Sequence, residues 1–188
     1  MPIFDHFSFI APLYDRIIPL RNAERVIEIV RLPVEGALLD AGGGTGRVAQ
    51  AVAAYAQQVI VSDLSLGMLR QARVKDNLQL ACSRTEYLPF QDGAFERVIM
   101  VDALHHVYDH VLTARELWRV LKPGGRLVIE EPDIRQFGVK LVALGEKIML
   151  MRSHFNKPQE IADLFNYPNA RVELIPDGFN IWTIVDKE

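Results

Sequence analysis

Four glycines follow an acid in Asp40-Ala-Gly42-Gly43-Gly44-Thr45-Gly46. Glycine is needed where a ligand lies against the main chain, because a Cβ would fill that space. Apolar residues before the run read as a strand and those after it as a helix. The helix start then offers unpaired N–H groups and a partial positive charge to a carboxylate or a phosphate. The spacing is Gly42-x-Gly44-x-Gly46, whereas a dinucleotide fingerprint would need glycine at position 47, where the chain has Arg47. That difference argues against a nicotinamide dehydrogenase. Asp63 ends the following strand, where a carboxylate accepts from the vicinal hydroxyls of a ribose. Ser65 is better placed than Asp63 to cap the helix carrying Leu66, Met68 and Leu69. Loop and acid together point to a ligand with a ribose and a charged end.

A second set of reactive types follows two later strands, in Asp102-Ala103-Leu-His105-His106-Val107 and in Glu130-Glu131-Pro-Asp133. Histidine titrates nearest neutral pH, so His105 or His106 is the natural general base. The competing reading is local hydrogen bonding at a helix start. Glu130 and Glu131 are candidate substrate contacts, against the plainer reading of a solvated acidic turn. His6, His110 and His154 lack the clustered spacing of metal ligands, and no metal is expected. The single Cys82 excludes an internal disulfide and a multi-cysteine metal site.

These residues need a scaffold, and the pattern supplies one. Strands are expected at residues 36–40, 58–62, 78–82, 95–101 and 126–130, with helices at 45–55, 65–74 and 109–121, the last stopped by Pro123-Gly124-Gly125. Near-continuous apolar strands alternating with helices require a parallel sheet covered on both faces, with ligands bound beyond the strand ends. In residues 137–155 the apolar Phe137, Leu141, Leu144, Ile148, Met151 and Phe155 recur at helical spacing. Two last runs, 171–175 and 180–185, are joined by Pro176-Asp-Gly178, a hairpin-like connection that gives the parallel sheet an antiparallel finish.

The chain has 188 residues, 49% hydrophobic and 24% charged, with a net charge of −3. That is one domain with an ordinary core. It is divided as an N-terminal helical lid (1–30), a ligand-binding core (31–132) and a substrate-side helix with the terminal hairpin (133–188). The mild negative charge and the lack of a basic, aromatic-interleaved stretch argue against a nucleic-acid partner. No apolar run approaches the length of a membrane span and the start lacks a basic leader, so a cytoplasmic protein without stable membrane insertion is expected.

Leu38-Leu-Asp-Ala-Gly-Gly-Gly-Thr-Gly46, Ser62-Asp-Leu-Ser65 with Met68-Leu69, Leu88-Pro-Phe90 with Asp92-Gly-Ala-Phe95, and Leu121-Lys-Pro-Gly-Gly125 stand in one order and spacing. In these motifs, and in the opening Phe4–Asp15 segment, the chain resembles the class I S-adenosylmethionine-dependent methyltransferases of the ubiquinone/menaquinone-methyltransferase-like (type 11) group. The resemblance implies a Rossmann-like, doubly wound, three-layer α/β/α fold whose mostly parallel seven-stranded sheet has an antiparallel last strand. It also implies S-adenosyl-L-methionine as cofactor and a small-molecule acceptor. Asp40, Gly42, Gly43, Gly44 and Gly46 would hold the methionine moiety and Asp63 the ribose. Leu64 and Met68 would pack on the adenosine, Asp102 and Ala103 would lie beneath it, and Tyr14 would close over it. One departure stands at Arg84, where many relatives carry an Asp that accepts from the adenine amino group. Arginine has no acceptor, so adenine recognition falls to backbone groups, to Ser83 or Thr85, or to apolar contact. An apolar or aromatic, quinone-like acceptor suits the Phe-, Leu-, Ile- and Met-rich N-terminal and 137–155 segments. A non-catalytic cofactor-binding or assembly protein that retains the fold is the alternative, and Arg84 is its support.

Overall fold

The structure, a computed structural model, describes residues 6–20, 22–140 and 153–188. Two helices lead, α1 (His6–Ile17) and α2 (Ala23–Val30). Strands and helices then alternate as β1 (Val34–Ala41), α3 (Arg47–Val52), β2 (Ala56–Asp63), α4 (Leu66–Ala72), β3 (Leu78–Cys82), β4 (Phe95–Val101), α5 (His110–Val120) and β5 (Leu121–Pro132). The chain ends with α6 (Pro158–Asp163), β6 (Ala170–Asp177) and β7 (Asn180–Lys187). One seven-stranded sheet results, in the order β3-β2-β1-β4-β5-β7-β6. All pairs from β3 to β5 are parallel, and β7 runs antiparallel to both of its neighbours. The antiparallel strand therefore lies one place inside the edge, and β6 forms the edge itself.

Each strand divides its apolar residues between two layers, as the pleat requires. Leu38, Val59, Val61, Ile99, Val101 and Val128 pack against Val26, Ile29 and Val30 of α2 and Val48, Ala49 and Val52 of α3. Leu39, Ile60, Val98, Met100, Leu127 and Ile129 pack against Ala114, Leu117 and Val120 of α5 and Ile161 of α6. The strand order reverses between β1, which leads to β2 on one side, and β4 on its other side. A crevice opens at the carboxyl ends of such neighbours.

Three local expectations are corrected. The helix after the glycine loop ends at Val52 and its last turn, Ala53–Tyr55, tightens to a 3₁₀ turn. Pro123-Gly124-Gly125 does not separate α5 from β5: β5 begins at Leu121 and bulges, with Phe95 opposite Leu121 and Arg97 opposite Arg126. Residues 137–140 are helical, but 153–157 have no regular structure, so Phe155 lies outside the expected helix; positions 141–152 fall outside the described residues.

The N-terminal helix is fastened over the carboxyl edge. A Cβ on Gly67 would lie 2.5 Å from the Ser8 Cα, so only glycine lets α1 cross α4 this closely. Ser8 Oγ shares a 3.0 Å hydrogen bond with Ser65 Oγ and accepts one from the Gly67 amide at 3.2 Å. At its other end Asp15 accepts from Thr45 Oγ1 and from Lys75 Nζ. Gly67→Ala should therefore displace α1 at a cost of about 1–3 kcal/mol. Amide exchange in residues 8–17 should speed up in the variant while the sheet stays protected; unchanged exchange in α1 would contradict the close crossing.

Candidate active site

Asp40 sits at the end of β1, 1% exposed, and neither carboxylate oxygen has a hydrogen-bond partner among the described residues. Burial pushes its carboxyl up to about 7, against the pull of Arg47 and of an Ala49 amide that lies outside bonding geometry. Buried carboxylates that serve only packing are normally satisfied. The loop folds back over it: a Cβ on Gly43 would meet Asp40 Cγ at 2.5 Å, and the Gly42 and Gly43 amides donate to Ser62 O. Gly42, at φ 69°, needs the left-handed region and approaches Ala103 so closely that a Cβ would lie 2.8 Å from the Ala103 Cβ. Beside Gly44 the space is open, with nothing nearer to a Cβ than Asp63 Oδ2 at 3.9 Å. Gly46 caps α3.

Asp63 belongs to the same construction. Its Oδ2 accepts from the Gly44 amide at 2.9 Å and its Oδ1 from the Ser65 amide at 2.7 Å. Ser65 Oγ in turn accepts from the Met68 amide, as its capping role predicts. Leu64 follows with its side chain 60% exposed, but Met68 is only 2% exposed and lies under the loop. Tyr14 is half-buried, its phenol pushed up by burial and by Asp102, Asp63 and Asp15, and held back by Arg47.

Asp102, just beyond β4 in the left-handed region at φ 51°, pairs with Arg47 Nη2 at 2.7 Å. Burial raises its carboxyl and Arg47 opposes the shift. Glu130 lies on the same sheet face as Val128; Asn180 Nδ2 donates to it at 2.6 Å, and burial above all pushes it up to about 7. Asp40, Asp102 and Glu130 thus share the influence of Arg47, with Lys75 also acting on Asp40 and Asp63 lying beside it, an excess of acids suited to a positive ligand.

The opposite face carries the histidines. Glu131 Oε1 accepts from the amides of Ala103 and Leu104 at 3.0 and 2.8 Å, and its Oε2 lies 2.6 Å from His105 Nδ1. His105 and Glu131 are buried, and Phe155 stacks on the His105 ring at 4.4 Å. His106 lies 4.0 Å from His105, edge-on to Phe7, with Nδ1 3.1 Å from Ser153 Oγ. Burial and the neighbouring His105 push His106 down to about 3, so its ring is neutral. His154, through its amide, and His110, against the His154 ring, complete this corner. No group of three His, Cys, Asp or Glu side chains could hold a metal ion among the described residues.

Two expected positions point elsewhere. Thr85 is buried and turned toward Thr113 of α5 at 3.3 Å. Arg84 faces outward, bonded to Glu86 through Nε and Nη2 at 3.3 Å and set over the exposed rings of Tyr87 and Tyr108. The organiser is Glu86, 5% exposed, which also accepts from the Tyr108 and Asp109 amides. Sequence reasoning passed over Glu86, and an acid two residues from a lone arginine was the available signal.

A family model for a methyltransferase domain matches residues 39–129, which run from β1 to β5. A demethylmenaquinone methyltransferase of Clavibacter sepedonicus is 38% identical over 157 residues, 77% of this chain and 62% of that one. Another, of Mycolicibacterium vanbaalenii, is 36% identical over 59% of this chain and only 47% of its own. These matches span about half to under two thirds of the relatives' lengths. A demethylmenaquinone methyltransferase of Renibacterium salmoninarum is 30% identical over 93% of this chain and 78% of its own. Among solved structures, an S-adenosylmethionine-dependent methyltransferase of Thermotoga maritima, described as a possible histamine N-methyltransferase, superimposes with a TM-score of 0.78 over 97% of this chain and 98% of that one, at 22% identity. With the parallel sheet, the glycine loop at its switch point and a relative aligned along nearly the whole chain, the protein belongs to the class I S-adenosylmethionine-dependent methyltransferases.

Proposed function

We propose that the protein transfers the methyl group of S-adenosylmethionine to a small, apolar or aromatic acceptor of the quinone or quinol type. The observation that carries the cofactor half is the buried, unpartnered Asp40 carboxylate beneath a glycine loop that is open beside Gly44. Such a carboxylate fits a cationic ammonium group, and the Asp40, Asp63, Asp102 and Glu130 surround favours a ligand with a second positive charge. When bound, S-adenosylmethionine supplies an electrophilic methyl group on a sulfonium, open to in-line displacement.

Each residue of the chain has a part in this reading. Asp40 and the Gly42–Gly44 loop hold the methionine end, Asp63 accepts from the ribose hydroxyls, and exposed Leu64 gives the adenine an apolar face. Tyr14, carried by the fastened α1, closes the crevice above Arg47. Arg84 is committed to Glu86, so adenine is held by stacking and backbone groups. On the acceptor side the neutral His106 and Phe7 form the wall. Glu131 keeps the proton of His105 on Nδ1 and so makes Nε2 the basic nitrogen of the ring, the atom that would take a proton from a hydroxyl or acidic carbon. The acceptor preference draws support from the relatives that carry the name demethylmenaquinone methyltransferase.

Calorimetric titration with S-adenosylmethionine and S-adenosylhomocysteine tests the cofactor half. Asp63→Ala should weaken both ligands by about 10²-fold, since charged hydrogen bonds contribute about 1.5–3 kcal/mol each. Asp63→Asn, whose single amide oxygen can accept from only one of the Gly44 and Ser65 amides, should fall between. Wild-type protein that binds neither ligand would overturn the reading in favour of a scaffold that keeps only the fold. Transfer of a labelled methyl group to a panel of quinols, phenols and amines then tests the acceptor, and turnover confined to amines would refute the quinone-type assignment.

A further inference from the structure

We propose that two copies of this chain join their sheets along β6, in an antiparallel pairing whose two-fold axis passes beside Val172. β6 is the edge of the seven-stranded sheet and pairs with β7 on one side only. Two backbone bonds fix which of its groups face outward. Asn169 O accepts from the Glu188 amide at 2.9 Å, toward β7, whereas the Ala170 amide turns the other way and donates to Tyr167 O at 3.0 Å. Alternate residues of an antiparallel strand point the same way, so Val172 and Leu174 direct their amides and carbonyls out of the sheet. Pro176 takes the next outward position, where proline has no amide to leave unpaired. The open ladder is therefore short and centred on Val172, with Pro168 and Pro176 four residues to either side.

Charge selects the occupant and the register. Arg171 and Glu173 flank Val172, both exposed, and neither has an ion pair among the described residues. Asp186 lies opposite Arg171 on β7 and feels its charge, but it is bonded to Arg126 Nε and Nη2 at 2.7 Å, with Arg31 4.0 Å away. Three arginines thus share one acid, while Glu173 stands opposite the apolar Ile184. Charges on an edge strand ordinarily keep other strands away. Here the two signs are opposite and symmetric about Val172. An antiparallel copy centred there sets Arg171 of each chain across from Glu173 of the other, close enough for unlike charges to attract. A centre at Arg171 or at Glu173 would set like charges face to face. In the favoured register the two Val172 residues exchange amide–carbonyl bonds across the axis, and each Leu174 amide reaches the Ala170 carbonyl of the other copy.

The pairing also covers apolar surface. Val172 and Leu174 lie on the α6 side of the sheet, where they line an open groove of about 400 Å³ with Ala162, Phe165 and the polar Asp163 and Asn166. Opposite residues of an antiparallel pair share a face, so Val172 of the second copy would extend this strip. Such a contact is isologous and closes on itself. Its axis stands normal to the sheet, so the two carboxyl edges point in opposite directions and each crevice stays open. The dimer is therefore independent of the methyl-transfer reading.

Sedimentation equilibrium of the purified chain over a concentration series, without cofactor or acceptor, tests the pairing, so its failure leaves methyl transfer untouched. Wild type should show a reversible monomer–dimer equilibrium. Arg171→Glu, or Glu173→Arg, opposes like charges twice across the axis and should weaken association by about tenfold or more. The double variant Arg171→Glu with Glu173→Arg restores both unlike pairs and should recover most of the wild-type association. Val172→Pro removes an outward amide that the fold itself does not use, and should abolish the dimer. All should keep the circular dichroism and S-adenosylmethionine affinity of wild type, and the charge variants decide the matter if the proline variant folds poorly. The proposal is overturned if wild type stays monomeric throughout, which would make Arg171 and Glu173 guards of a bare edge. It is equally overturned if the single reversals associate as well as wild type, or if the double reversal stays as weak as the singles.

Discussion

Asp40→Ala should stabilise the ligand-free protein at pH 8 while weakening its cofactor affinity. A carboxyl that ionises near 3.8 in the unfolded chain and at about 7 in the fold binds its proton more tightly when folded. Below the unfolded value both states are protonated and ionisation adds no penalty. The penalty grows as pH rises from about 4 to 7 and is then constant, at about 4 kcal/mol for a separation of this size. Removing the group relieves that penalty and leaves a small gap, so a net gain of roughly 1–3 kcal/mol remains at pH 8, a rise in Tm of about 5 °C. At pH 4 the gain should vanish. Over the same interval wild-type affinity for S-adenosylmethionine should rise with pH, because the ionised carboxylate is the form that holds an ammonium group. The variant should bind about 10²-fold more weakly at pH 8 and lose most of that pH dependence. A lower Tm at pH 8 than wild type would mean that Asp40 is a satisfied structural group after all.

The place of Asp40 beneath the loop was legible because it is set locally. Glycines at 42, 44 and 46 record a backbone demand made within one turn, and the acid at the strand end stands beside it in sequence. The place of Asp63 at its strand end was legible for the same reason, although nothing local announced its bonds to the Gly44 and Ser65 amides. The orientations of Thr85 and Arg84 were harder to read: Thr113, far along the chain, draws the one inward, and Glu86 draws the other sideways from two residues away while being held itself by the distant Tyr108 and Asp109 amides. The crossing of α1 over α4 at Gly67 and Ser8 likewise joins residues far apart in the chain, with no periodicity to announce it.

The sheet divides in the same manner. Its strands were readable from apolar runs, but which strand of the final hairpin pairs with β5 is not set by the turn between them. A signal was nevertheless present. Ile181 to Val185 form an unbroken buried run, as a strand covered on both faces should, whereas β6 alternates through exposed Arg171 and Glu173. Burial on both faces puts β7 inside the sheet, and the charged alternation fits β6 to the edge. Elsewhere the difficulty was a helical spacing that continued past the helix: Phe155 matched the pattern of residues 137–155, yet its ring is spent on stacking against His105.

Glu131→Gln should lower kcat by about 10²–10⁴-fold with any hydroxyl or carbon-acid acceptor, the range that a positioned base contributes, and leave cofactor affinity within a few-fold of wild type. The substitution keeps the size of the side chain, and its amide oxygen still accepts from Ala103 and Leu104. What changes is the group facing His105. A carboxylate oxygen at 2.6 Å accepts the Nδ1 proton, whereas an amide nitrogen there donates, so the imidazole must carry its proton on Nε2 instead. The lone pair then points at the substituted side chain's amide nitrogen rather than at the acceptor, and the ring keeps its place while losing its basic atom. Glu131→Asp, which preserves the acceptor charge at a longer distance, should recover part of the rate. A loss of thermal stability with kcat intact would assign the pair to fixing the Leu104–His106 turn, and the methyl acceptor would then be a group that reacts without giving up a proton in the rate-limiting step.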